Sequence, residues 1–307
     1  MTRSIPKVVL YVICVGCIAY HIAAMIHYYA TIGKDNMVTA HIPSVILKTG
    51  NAIIPLSIRA HLGANAACVW LASLGLFGWV VYTFLTIILW KSPTNGYPVY
   101  TLEGIQHVAV YVYIFLGGIF GATHYILLTT GHFFWLNLTM LALSAFCYMV
   151  SIFKASLDHE KFRNDLIQVG VTKQLGLVKM FVVNALLPVA AWMLIELFTG
   201  VTELVKYELF QQQQRLMTAM LVTILVVFIL IFALELFFRD YGFYFLLHYV
   251  VIFMYAIGVI VMTRGVPKSS TLYILPLVLV VVSVLQIFVK LTLIFTEARK
   301  TRDHVPL

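Results

Sequence analysis

The chain has 307 residues, of which 62% are hydrophobic, 14% aromatic and only 10% charged, with a mean hydropathy of +0.97. Soluble domains carry about 25% charged and about 45–50% apolar residues, so this composition excludes an ordinary soluble protein and indicates a polytopic membrane protein. Twenty basic residues against twelve acidic ones give a net charge of +8. No polar domain is present to carry a nucleic-acid footprint, and the bases sit in short connections between apolar runs, so membrane topology accounts for the excess.

The chain opens on a short leader with Arg3 and Lys7 and no acid before Asp35. That leader is compatible with mitochondrial import or with positive-inside anchoring, and nothing in it chooses the membrane. The first apolar run is longer than the 7–15 residues of a signal-peptide core and no small-residue cleavage site follows it, so it reads as a retained span. Hydropathy predicts an all-α bundle of eight transmembrane helices in one domain, over 8–33, 65–90, 103–128, 132–155, 176–200, 215–238, 241–263 and 271–297. Each run reaches the ~20 residues that a helix needs to cross ~30 Å of hydrocarbon, and is too long for the ~10-residue strand of a membrane barrel. Turn chemistry separates them at Ser92–Pro98, Thr130-Gly131 and Gly265–Lys268.

With the N-terminus inside, the inner flanks hold twelve bases: Arg3, Lys7, Lys91, Lys154, Lys161, Arg163, Lys173, Lys179, Arg239, Arg299, Lys300 and Arg302. The outer flanks hold seven, namely Lys34, Lys48, Arg59, Lys206, Arg215, Arg264 and Lys268. The excess places both termini inside. The twentieth base, Lys290, falls within the last span. The outer connection 34–64 contains Ile42–Leu47 and Ile53–Leu56, which suit a strand or a short interfacial helix. The inner connection 157–175 is the most charged stretch and reads either as a solvated loop or as a docking surface for a soluble partner. Cys14, Cys17, Cys68 and Cys147 all lie in apolar runs, which supports neither a disulfide framework nor a metal site.

Ionisable side chains inside spans are costly, and each is a functional-site hypothesis. Helix direction gives each a depth. Glu103 and His107 of span three, Glu235 of span six, His248 of span seven and Lys290 of span eight share the inner half. Glu103 and His107, four apart, would stack on one helical face. Towards the outer side lie His27, His124 and Glu196, with His21 near the midplane and Asn137, Asn184 and Gln286 as uncharged stations. Pro188 and Pro276 would free carbonyls along the route. Such a broken chain of polar groups suits proton- or ion-linked transport, with Glu235, Lys290, His248, Glu103, His107, Glu196 and His124 as its pathway. The plainer reading puts Glu103 and Glu235 at headgroup level, lets the Lys290 stem snorkel to the inner surface, and leaves the histidines as satisfied core residues.

Other classes fit parts of the sequence. An apolar chain with short loops and no soluble domain suits an accessory or structural subunit of a larger membrane complex, or a homo-oligomer. Ser283–Lys290 loosely resembles the last helix of microbial rhodopsins, and Trp135–Thr139 is similar to part of their third retinal-contacting helix. That resemblance implies a photosensor with retinal on Lys290 as a Schiff base. The chain departs from the pattern at Gln286, which stands where a carboxylate is expected, at Phe134 in place of a counterion, and in lacking the tryptophan-proline pattern of the sixth helix. Haem would need axial histidines at matched depth, for which His107 and His248 are the available pair. No HxxxH, HExxH or GxSxG motif is present, which disfavours an enzyme.

Overall fold

The computed structural model describes residues 5–34, 45–49, 52–56, 62–94, 96–102, 104–130, 134–209, 213–238, 245–263 and 267–303. The fold is an all-α membrane bundle with one small hairpin. In chain order come α1 (Ile5–Lys34), β1 (Val45–Thr49), β2 (Ala52–Leu56), α2 (Leu62–Ile88), α3 (Val108–Thr130) and α4 (Phe134–Lys161). They are followed by α5 (Arg163–Gln168), α6 (Thr172–Val178), α7 (Asn184–Leu209), α8 (Gln213–Phe237), α9 (Leu247–Met262) and α10 (Thr271–Asp303). A π-helical turn, Lys179–Val183, joins α6 to α7.

Among the described residues seven helices are long and apolar enough to cross a membrane, and the protein is an integral, multi-pass membrane protein. α9 is the exception. At about 1.5 Å per residue its 16 residues reach only about 24 Å, short of ~30 Å of hydrocarbon. The expected span 241–263 is therefore shortened to Leu247–Met262, and 239–244 lie outside the described residues. The third span also begins later than expected, at Val108. Gly104 turns the chain at φ 87°, and its α-carbon lies so close to Phe162 that an added Cβ would meet the Phe162 Cβ at 2.6 Å. Helix cannot continue through that conformation, and only glycine fits the approach.

The long helices pack around α7. Of the apolar window in Lys173–Thr202, 72% is buried, against 22–44% in the other six spans. α7 touches α2, α4, α8 and α9, whereas α3 fills a separate layer between α1 and α4. Close approach depends on small residues. Gly75 of α2 lies against the backbone carbonyl of Ala185, with no space for any side chain. At one end of the bundle Lys7 donates to Tyr100 O, Ser92 donates to Val169 O, and Gly170 packs on Pro93. These contacts gather the start of α1 with the α2–α3 and α4–α6 connections, which is the end assigned as inner. The charged connection 157–175 is mostly helical, and Asp158 and His159 are buried in it. The outer connection does contain strands. β1 and β2 pair antiparallel from Val45↔Leu56 to Thr49↔Ala52, and β1 packs against α8.

Candidate functional site

Three of the five inner residues converge. Lys290 Nζ of α10 lies 2.7 Å from Glu235 Oε2 of α8, and His248 Nε2 of α9 lies 3.1 Å from Glu235 Oε1. Tyr249 completes the group by donating its hydroxyl to Glu235 Oε2 at 2.8 Å. Lys290 is fully buried, and the Glu235 and His248 side chains are 6% and 4% exposed. Lys290 therefore does not reach the protein surface, and the Glu235 carboxylate is enclosed by protein. Taking each ion from water costs several kcal/mol, and a pair recovers that only with good geometry and further hydrogen bonds. Tyr249 supplies one such bond, and the Phe232 ring lies 6.0 Å from Lys290 Nζ.

A chain of local constraints holds this geometry. In the π-turn the Asn184 backbone N–H donates to Lys179 O, five residues back, and Asn184 Nδ2 donates to the same carbonyl at 2.9 Å. The same side chain accepts, at Oδ1, from Leu246 N at 3.0 Å and Leu247 N at 3.4 Å. Asn184 thus caps α9 from a neighbouring helix. It lies about 18 Å along the helical rise from Thr172, so α9 begins inside the bundle and not at its end. His248 and Tyr249 occupy the first turn of α9, and the positive end of its dipole faces the Glu235 carboxylate. Pro188 stands four residues beyond Asn184 within α7, so the Asn184 carbonyl also loses its helical donor.

Beside the triad, α4, α7 and α8 enclose a cavity of about 440 Å³. Apart from Glu235 and His248, every described residue lining it is apolar. Its rim includes Phe146, Phe153 and Phe238, about half exposed, so the cavity opens on the outside of the bundle.

The remaining site residues are placed elsewhere. Glu103 lies outside the described residues. His107 does not join the cluster. It is exposed just before α3, where its Nδ1 accepts from Ala109 N at 3.1 Å, because the helix starts at Val108 and the expected i, i+4 face never forms. His107 and His248, one exposed and one buried, do not form a haem-ligating pair, and among the described residues no group of three potential metal ligands is found. Glu196 and His124 belong to a second polar island. Tyr29 donates to Glu196 Oε1, Trp192 Nε1 donates to Tyr125 Oη at 3.1 Å, and the His124 ring meets that of Tyr125 edge-on at 4.8 Å. His21 joins the island through the Tyr148 hydroxyl at 2.9 Å and stacks on the Tyr148 ring. Between the two islands α7 contributes only Leu187, Ala190, Ala191 and Leu194 to the cavity wall.

Trp135, in one of the two rhodopsin-like segments, does not lie beside Lys290. Trp135 is 63% exposed at the start of α4, about 27 Å of helix from Phe153, which shares the cavity with Glu235. Tyr249 and the cavity escape a reading of the sequence, since a tyrosine within an apolar run has the pattern of core. No protein-family profile matches the chain, and no curated protein or solved structure is significantly similar to it.

Proposed function

We propose that the bundle carries out proton-linked transport, with proton exchange at Glu235, Lys290 and His248. The observation that supports this reading is the convergence of three ionisable side chains from three helices at one fully buried point beside a cavity. A buried ion pair is weak as a stabilising device, because apolar residues of similar volume often serve as well or better. Its presence inside a membrane bundle therefore favours a chemical role. Glu235 has two basic partners within 3.1 Å, so it can accept a proton from either without leaving a bare charge far from a counter-charge. Glu196 and His124 stand towards the outer side as further stations.

The test is flux. Purified protein is reconstituted into liposomes holding a pH-sensitive dye, and a pH gradient is imposed with the voltage clamped by a potassium ionophore. Wild type discharges the gradient faster than empty liposomes, and Glu235→Gln and Lys290→Met each lose at least about tenfold in rate at equal insertion. Wild-type flux no faster than that of empty liposomes, or unchanged flux in both variants, overturns the reading. The alternative, a structural subunit of a larger complex, predicts no flux and a larger native mass in mild detergent.

A further inference from the structure

The two basic partners of Glu235 are not equivalent, because they meet different oxygens. Oε2 takes the Lys290 ammonium at 2.7 Å and the Tyr249 hydroxyl at 2.8 Å, so both of its lone pairs are engaged. Oε1 has no aligned hydrogen-bond partner among the described residues and faces His248 Nε2 at 3.1 Å. Neighbouring groups hold this division in place. The Phe232 ring lies 6.0 Å from Lys290 Nζ and meets the Tyr249 ring edge-on at 5.9 Å. His248 and Tyr249 follow each other in the first turn of α9, directly after the backbone that Asn184 caps.

We propose that Glu235 exchanges its proton at Oε1 with His248, while Tyr249, as a positioning residue, and Lys290 together keep Oε2 out of the reaction. A proton on Oε2 would have to displace one of two donors, and an ammonium has no lone pair with which to accept in return. A proton on Oε1 displaces nothing. His248 Nε2 gives it as imidazolium and takes it back as imidazole, and 3.1 Å is within reach of proton transfer once the ring turns into line. Intrinsic chemistry agrees, since in water an imidazole titrates at ~6.5, against ~10 for a phenol and ~10.4 for an ammonium. In the step the Nε2–H bond breaks, its electron pair stays on nitrogen, and an O–H bond forms at Oε1. Imidazolium and carboxylate become imidazole and carboxylic acid, so the total charge of the site is unchanged and Lys290 stays an ammonium throughout. The Tyr249 hydroxyl fixes which oxygen is which. Without it the carboxylate can turn about its Cγ–Cδ bond, and Lys290 then competes with His248 for both oxygens.

The inference rests on proton exchange at this site and narrows it to one pair of atoms; its first test needs no gradient, so it can fail while transport stands. The full chain in liposomes is isotope-labelled at the histidine ring nitrogens and at lysine Nζ for magnetic resonance. The His248 and Lys290 signals are identified by their loss in His248→Gln and Lys290→Met, and the Glu235 carboxyl band in infrared difference spectra by its loss in Glu235→Gln. On titration the His248 Nε2 signal and the carboxyl band should change together, with midpoints within about half a pH unit, while the Lys290 signal stays that of an ammonium. In Tyr249→Phe the two midpoints should part by at least about one pH unit, a change that a merely structural loss would not produce. Flux is the second test. His248→Gln should lose at least about tenfold, and Tyr249→Phe about tenfold with a displaced pH profile. Lys290→Arg, which keeps the charge but cannot release a proton, should lose no more than about threefold. Should the larger arginine fail to insert, the Lys290 signal of the wild type decides the same question. Deprotonation of Lys290 in step with the carboxyl band, or unchanged midpoints in Tyr249→Phe, would overturn the proposal. So would a loss in inserted Lys290→Arg as large as that in His248→Gln. Spectra as expected with no wild-type flux would overturn transport and uphold the exchange pair.

Discussion

Asn184 accepts a hydrogen bond from Leu246 N at 3.0 Å across 62 residues of sequence, so a side chain in α7 sets where α9 begins. The two residues after Leu247 are His248 and Tyr249, both of which contact Glu235. The register of the site therefore depends on one amide. Asn184→Leu removes the cap from Leu246 N and Leu247 N and the side-chain donor to the Lys179 carbonyl, which keeps the backbone N–H of residue 184; loss of stability by about 1–3 kcal/mol is expected from a denaturant titration in micelles. Asn184→Asp keeps the acceptor for Leu246 N and loses only the Nδ2 donor, and should fall between the two. Equal stability of all three would show that α9 is held by packing alone.

The Glu235–Lys290 pair gives a second expectation, this time from non-additivity. Lys290→Met takes the lysine counter-charge from a buried carboxylate, leaving it His248 and Tyr249, and should cost about 3 kcal/mol. Glu235→Leu removes the counter-charge of the buried ammonium and should cost as much. The double substitution removes both ions and should recover most of the loss, which a double-mutant cycle reads directly. Lys154→Ala is the contrast. Its i, i+4 pair with Asp158 is at a partly exposed position and should contribute no more than about 0.5 kcal/mol.

The apolar spans were legible in the sequence because a 30 Å hydrocarbon layer demands a long apolar run whatever the packing. Lys290, Glu235 and His248 were legible as a group because helix direction fixes depth. Helix rotation was not legible, and neither were the interruptions that alter a start point. Glu103 and His107 read as one helical face only if helix runs through Gly104, and the contact of Gly104 with Phe162 that stops it links residues far apart in sequence. Asn184 read as a generic polar station. Its capping role depends on a π-turn that leaves no compositional trace. The hairpin had a usable local signal in the Gly50-Asn51 dipeptide between two β-branched runs.

Two glycines separate backbone from side-chain collisions. At Gly121 an added Cβ would meet the His21 ring at 2.5 Å, and His21 is held by the Tyr148 hydroxyl. Gly121→Ala should cost about 1–3 kcal/mol, and His21→Ala in the same chain should relieve part of it, since the obstacle is a side chain. At Gly75 the obstacle is the Ala185 carbonyl, which no side-chain substitution removes. Gly75→Ala should therefore cost more and find no such rescue, with separation of α2 from α7 detectable as faster hydrogen exchange in both helices. Rescue of Gly75→Ala by Ala185→Gly would contradict this, because the carbonyl stays in place.

The apolar gap between the two polar islands gives the last expectation. If protons cross the bundle, the slow step lies along the cavity wall of Leu187, Ala190, Ala191 and Leu194, where α7 offers no polar side chain. Glu235 borders that gap directly. Glu196 lies beyond it, hydrogen-bonded by Tyr29, with His124 and His21 nearby in the same aromatic island. Neutralising Glu196 leaves those histidines as alternative stations, so Glu196→Gln should slow flux by about threefold or less, against about tenfold or more for Glu235→Gln. Tyr29→Phe should behave like Glu196→Gln, since it removes a donor on the same side of the gap. Equal losses at Glu196 and Glu235 would show instead that both carboxylates are obligatory stations and that the apolar layer is not the barrier.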